Sequence, residues 1–178
     1  MKKQIFLGFL LLIIALPAIG QVGAWDPELE EKCQEVIQIY KDTNSNLTAY
    51  FEEAYGYAVF PSIGKGAVGI GGAHGRGVVY EQEVVIGQSK MTQISVGFQW
   101  GGQVYSEIIF FEDEEALELF KTGDLEFAAQ ASAIVVTTGA SVDVAYKDGV
   151  AVFTMPKKGL MYEASIGGQK FKFIPKKN

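Results

Sequence analysis

The chain has 178 residues with 21 acids against 15 lysines and arginines, a formal net charge of −6. An acidic balance of this kind argues against a nucleic-acid partner, whose binding rests on phosphate neutralisation by lysine and arginine. The single cysteine, Cys33, and single histidine, His74, rule out an intramolecular disulfide and a zinc site of nitrogen and sulfur ligands.

Lys2 and Lys3 precede an apolar run from Ile5 to Leu16, then Pro17 and small residues, the order of regions in a secretory signal peptide. The run is too short for a bilayer core that needs about 20 helical residues, so residues 1–24 are expected to be a leader cut after Gly20 or Ala24. With no cysteine there to acylate, the product is expected free in a periplasmic or extracellular space, where it can be peripheral to a membrane. Removing a leader with two lysines and no acids takes the formal charge from −6 to −8 and leaves residues 25–178, the size of one domain.

Asp26-Pro27-Glu28 predicts a helix start, with a capping carboxylate followed by a ring whose φ is preset. Leu29, Cys33, Val36, Ile37 and Tyr40 recur at helical spacing, which makes Cys33 a core residue rather than a reactive thiol. A shorter helix is expected over Leu47 to Tyr55. From Tyr57 the chain turns to short β-rich runs split by glycine: Tyr57–Phe60, Ala67–Ile70, Val78–Gln82, Val84–Gly87 and Gln93–Trp100. Phe60 and Trp100 are expected in the core.

Ser106–Phe111 reads as a central strand, and an acidic helix follows from Glu112 to Gly123. Leu125–Val136 suits either helix or strand. Lys147-Asp148-Gly149 and Gly167-Gly168 read as hairpin turns, the first between Val142–Tyr146 and Val150–Met155, the second between Leu160–Ile166 and Lys170–Ile174. The expected fold class is α+β: a mainly antiparallel, strongly curved or barrel-like sheet, two N-terminal helices and one helix in mid-chain.

Gly64 to Gly69 satisfies the G-x-G-x-x-G pattern of dinucleotide sites, but the glycines that follow, from Gly71 to Gly77, would disrupt the helix which that fingerprint requires. Triad chemistry would need His74 as base, and no nucleophile stands in a recognisable setting. Neither a cofactor nor catalysis is indicated. Charge is more informative: acids crowd Glu107 to Glu126, whereas Lys157, Lys158, Lys170, Lys172, Lys176 and Lys177 gather near the C-terminus. Lys170 and Lys172 alternate with Phe171 and Phe173, which puts two lysines on one face of a strand.

Gly56-Tyr57-Ala58-Val59-Phe60-Pro61, Lys65-Gly66, Gly71-Gly72, Gly75, Gly77-Val78-Val79, Ser95 to Gln99, Lys158-Gly159-Leu160 and Ser165 to Gly168 together resemble the SYLF domain. That family includes yeast actin-patch proteins and exported bacterial members. The resemblance implies a non-catalytic lipid-binding domain, with phosphoinositide binding and actin bundling described for eukaryotic members. The chain departs from the family where arginines are often found, at Glu81 to Glu83 and at Thr137 to Ser141.

The function expected is therefore recognition of an anionic phospholipid or membrane surface, with actin an unlikely partner for an exported protein. Lys65, His74, Arg76, Lys157, Lys158, Lys170 and Lys172 are the candidate headgroup contacts; Arg76 could instead pair with Glu81 or Glu83. A small outer-membrane barrel or cell-envelope structural protein is one alternative, and an enzyme with an unrecognised site is another.

Overall fold

Asp26 caps the first helix, its Oδ1 accepting the Leu29 N–H at 3.3 Å, in a computed structural model that describes residues 25–68, 70–96, 103–127, 132–138, 144–158 and 164–177. Helix α1 (Pro27–Thr43) buries Leu29, Cys33, Val36, Ile37 and Tyr40, the stripe expected from spacing. Helix α2 (Leu47–Glu53) buries Leu47 and Phe51 and stops two residues before the expected Tyr55, because Ala54 is already extended with ψ 140°.

As far as they are described, the five short β runs of the glycine-rich segment fall in three long strands, β1 (Gly56–Val68), β2 (Ile70–Glu81) and β3 (Val84–Val96), with residues 69 and 97–100 of two of those runs outside the described residues. Most of the glycines thought to end strands sit inside them. A Cβ on Gly77 would lie 2.4 Å from the Val59 carbonyl oxygen and 2.7 Å from the Phe60 ring, and one on Gly75 would lie 2.7 Å from Ile63. The missing side chains let β1, with its register shift between Val59 and Ser62, coil tightly against β2. The β2–β3 turn uses Gln82 (φ 46°) and Glu83 (φ 66°), the two positive φ values of a type I′ turn.

Strand β4 (Gln103–Phe111) is central, as its apolar density suggested. Helix α3 (Glu114–Thr122) follows, capped by Asp113 at one end and by left-handed Gly123 at the other. Strands β5 (Ser132–Val135), β6 (Val150–Lys158), β7 (Ala164–Ser165) and β8 (Gln169–Pro175) complete a sheet of order β7-β5-β6-β4-β1-β2-β3-β8. All described pairings are antiparallel except β5–β6.

Of the two expected hairpins, the first is found in part and the second needs correction. The turn at Lys147-Asp148-Gly149 forms as expected: Asp148 (φ 52°) and Gly149 (φ 75°) join Lys147 to Val150, whose backbone groups bond each other in both directions at 2.9 and 3.1 Å, but the strand expected before it is absent over 144–146, and 142–143 lie outside the described residues. Gly167-Gly168 joins strands that do not pair with each other: β7 pairs with β5 and β8 with β3, at opposite ends of the sheet. The sheet is thus open rather than a closed barrel. It curls nonetheless, for Gln93 Nε2 on β3 donates to the carbonyl of Ser165 on β7, at the far end of the order (3.0 Å), as well as to that of Gly167 in the turn before β8 (2.9 Å).

The curl makes two cores. The inner one holds Phe60, Ile63, Val79, Met91, Ile109, Phe111 and Phe171, with Leu117 and Phe120 of α3 against it. The outer one lies between the convex face and helices α1 and α2, with Cys33, Tyr40, Phe51, Tyr57, Tyr80, Phe110 and Phe153. Phe60 is fully buried as expected, whereas Trp100 and the expected leader, residues 1–24, lie outside the described residues.

Candidate functional site

Strand alternation sorts β2, β3 and β8 into two faces. Ala73, Met91, Gln93, Gln169 and Phe171 are buried and point inward, while His74, Arg76, Lys90, Thr92, Ile94, Lys170 and Lys172 are exposed on the outer face. Register then places Arg76 opposite Lys90 and Lys90 opposite Lys172, so one cation from each strand stands in a single row. The adjacent row runs His74, Thr92, Lys170, and beyond it Gly72 faces Ile94, which is 75 % exposed.

Directly opposed side chains on neighbouring strands have Cβ atoms about 5 Å apart, where like charges repel. Lysine on the edge strand β8 has a plain structural use, since it discourages pairing with another sheet. Lys90 has no such use, because β3 lies inside the sheet between β2 and β8.

Arg76 marks where this bare face meets α1. Its guanidinium pairs with Asp26 at 3.1 Å and donates to Gln88 Oε1 at 3.2 Å. The carboxylate partner is therefore the helix cap and not Glu81 or Glu83. Glu81 instead accepts from the Tyr55 hydroxyl at 2.9 Å, and Glu83 sits in the turn. Lys176 lies 4.3 Å over the Trp25 ring on the same border.

The remaining expected contacts are elsewhere. Lys65 shares the inner face of β1 with Ile63 and is only 7 % exposed; burial holds its pKa below the ordinary lysine range, partly offset by the Glu107 charge. It nevertheless lines an open depression of about 640 Å³ with Gly64, Gly66, Gly72 and His74, next to the second row. Lys157 is exposed at the end of β6, and Lys158 pairs with Val104. Strand β6 is separated from β2 by β4 and β1, so neither lysine joins the rows.

The arrangement thus unites His74, Arg76, Lys170 and Lys172 and adds Lys90. Lys90 is missed by the sequence pattern because it falls between the expected runs Val84–Gly87 and Gln93–Trp100, whereas β3 continues through it. Its signal was the alternation of Lys90 and Thr92 with Met91 and Gln93.

Residues 64–68 of the glycine pattern lie in strand β1, with no helix opening there for a phosphate. Cys33 donates to the Val59 carbonyl from a buried position, and burial pushes its thiol up to about 12, far from a thiolate at neutral pH. Among the described residues no group of three or more His, Cys, Asp or Glu could hold a metal, and no helix is long and apolar enough to cross a membrane.

Residues 92–178 match the model of a family described as the Las17-binding protein actin regulator, Ysc84. Beta cell expansion factor A of Aeromonas veronii is 30% identical over 124 residues, which cover 68% of this chain and 46% of that protein. The chain therefore spans about half the length of that curated relative. With the matched region running from the end of the cationic strand β3 through β8, this chain belongs to the Ysc84, or SYLF, family.

Proposed function

We propose that the chain is a non-catalytic binding protein for anionic lipid surfaces, and that the bare outer face of β2, β3 and β8 is the surface that meets them. One observation carries this reading: the row Arg76–Lys90–Lys172 holds three cations opposite one another on an uncovered face, at a cost the fold has no need to bear. A flat lipid surface of negative charge would relieve that repulsion. Ile94 and the glycine depression beside His74 add apolar and unobstructed area for close approach.

The chemistry favours a charged surface over one particular headgroup, since the row is spread across three strands and Arg76 is already shared with Asp26. The protein would act outside the cytoplasm, delivered by the leader in residues 1–24. The intact mass of the secreted product, ending the leader at Gly20 or Ala24, checks that part.

Flotation with vesicles of phosphatidylcholine alone or mixed with phosphatidylglycerol tests the rest. Each basic residue near a charged membrane contributes about 1 kcal/mol, so replacing both Lys90 and Lys172 by alanine should weaken binding to the anionic vesicles by about 10- to 30-fold. Added salt should weaken the parent's binding in the same way. Normal melting with undiminished flotation of the double variant would remove this face from the mechanism.

A further inference from the structure

Glu107 is a carboxyl with no exposure at all, on β4 and facing the inside of the curl. Gln169, 2 % exposed on β8, donates from Nε2 to Glu107 Oε2 at 3.0 Å. Strands β1, β2 and β3 separate β4 from β8 in the sheet, so this bond spans the curl instead of belonging to a ladder.

The other half of the same pair is incomplete. Glu107 Oε1 and Gln169 Oε1 are both buried and make no hydrogen bond among the described residues. Two bare acceptors cannot satisfy each other, and a buried polar atom left unpaired is costly. A proton on Glu107 resolves both at once. A carboxylic acid and a primary amide each offer one donor and one acceptor on adjacent atoms, so together they can close a ring of two hydrogen bonds.

We propose that Glu107 is a proton-binding site: protonated, it clamps β4 to β8 across the open sheet through a two-bond ring with Gln169, and its ionisation loosens the clamp. The only bond that forms and breaks is the carboxyl O–H of Glu107; the proton comes from solvent and returns to it.

The surroundings favour this assignment. Burial pushes Glu107 up to about 7, against the lowering effects of the Gln169 bond and of Lys65 on β1. Lys65 and Glu107 form no ion pair, so the lysine attracts the carboxylate from a distance without neutralising it. Tyr105, two residues away on β4, and Tyr40 of α1 are neutral neighbours, held protonated chiefly by burial and further by any charge on Glu107, while Gln169 bonding to the Tyr105 hydroxyl and Ser106 bonding to that of Tyr40 act the other way. From β3 the facing group is the uncharged Gln93, whose Oε1 also lacks a partner.

The sign follows from linkage. A carboxyl raised from 4.5 to about 7 on folding makes the folded state bind more protons than the unfolded chain, so its contribution to stability is fully present at low pH and is lost as pH rises through about 7. Gln169 adjoins Lys170, and the loosened strand is the one that carries Lys170 and Lys172 on its outer face.

The carboxyl carbon of Glu107 in the full chain, followed by NMR, should titrate well above the ordinary glutamate range, near neutrality. An inflection close to 4.5, the unperturbed value, would overturn the proposal whatever any variant does. Glu107→Gln keeps a donor and an acceptor and can form the same ring without a proton. From about pH 5 to about pH 9 its melting temperature should therefore hold up while the parent's falls behind by several degrees. Amide protection across β8 should drop in the parent over the same range and not in E107Q. A melting difference between the two proteins that stays constant with pH would equally refute the clamp.

Discussion

The outer face of the sheet changes character within a single strand. On β2, Val78 and Tyr80 lie under α1 in a core of rings, while His74 and Arg76, on the same face and only two to six residues away, stand bare beside lysines. Where α1 and α2 cover the sheet, the side chains are large and interlocked: Phe110 has the rings of Tyr50, Phe51, Tyr57 and Phe153 within 4.9–6.0 Å. Where the helices stop, glycine, lysine and one exposed isoleucine take over. The border is marked by Asp26 on Arg76 and by Lys176 over Trp25. The contrast separates residues kept for folding from residues that folding does not explain.

The sharpest way to break the comparison is to mutate both sides. Phe110→Ala, in the covered half, should lose about 3 to 5 kcal/mol, because a ring is removed from a fully buried site that cannot collapse around four neighbours. Chemical denaturation would measure it. Gly77→Ala should be the next largest, at about 1 to 3 kcal/mol, since its methyl has to displace the Val59 carbonyl and the Phe60 ring. If Gly77→Ala melts like the parent, close approach is not the reason for glycine there.

Sequence patterns revealed these two regions unequally. The helices were legible, because Asp26-Pro27 and the stripe from Leu29 to Tyr40 are local signals and the helix needs nothing else to start. Strand β4 was equally plain from its apolar density. The long strands were not, since a glycine reads as a turn unless the residue across from it is known; Gly75 and Gly77 are required by Phe60 and Ile63 on another strand. The same limitation hid the cationic row. Lys170 and Lys172 show their common face by alternation, but Arg76, Lys90 and Lys172 come together only through register, which no local pattern states. Gly167-Gly168 misled in the opposite way, looking like a hairpin while it joins the two ends of the sheet.

A gain of about 1 kcal/mol is expected at the β2–β3 turn. Gln82 and Glu83 hold φ values of 46° and 66° without the residues that favour them, so Gln82→Asn with Glu83→Gly should raise the melting temperature. The turn lies at the end of the sheet where Tyr80 and Val85 belong to the covered core, and its tightening should leave lipid flotation untouched.

The smallest stability effect, and the one that bears most on the comparison, is expected from Lys90→Ala. Lys90 stands in the middle of the row, between Arg76 and Lys172, and it is exposed, so alanine removes two unfavourable neighbours and little packing. In water a pair of unit charges a few ångströms apart interacts by only about 1 kcal/mol, and salt at 0.1 M screens beyond about 10 Å. Lys90→Ala should therefore fall within about 0.5 kcal/mol of the parent and, at low ionic strength, on the stabilised side. Salt should stabilise the parent more than the variant, because the variant has less repulsion left to screen. Melting temperatures over a salt series read both effects. A loss as large as that of a core residue, insensitive to salt, would mean that Lys90 is held by the fold, and the bare face would then be structural like the covered one.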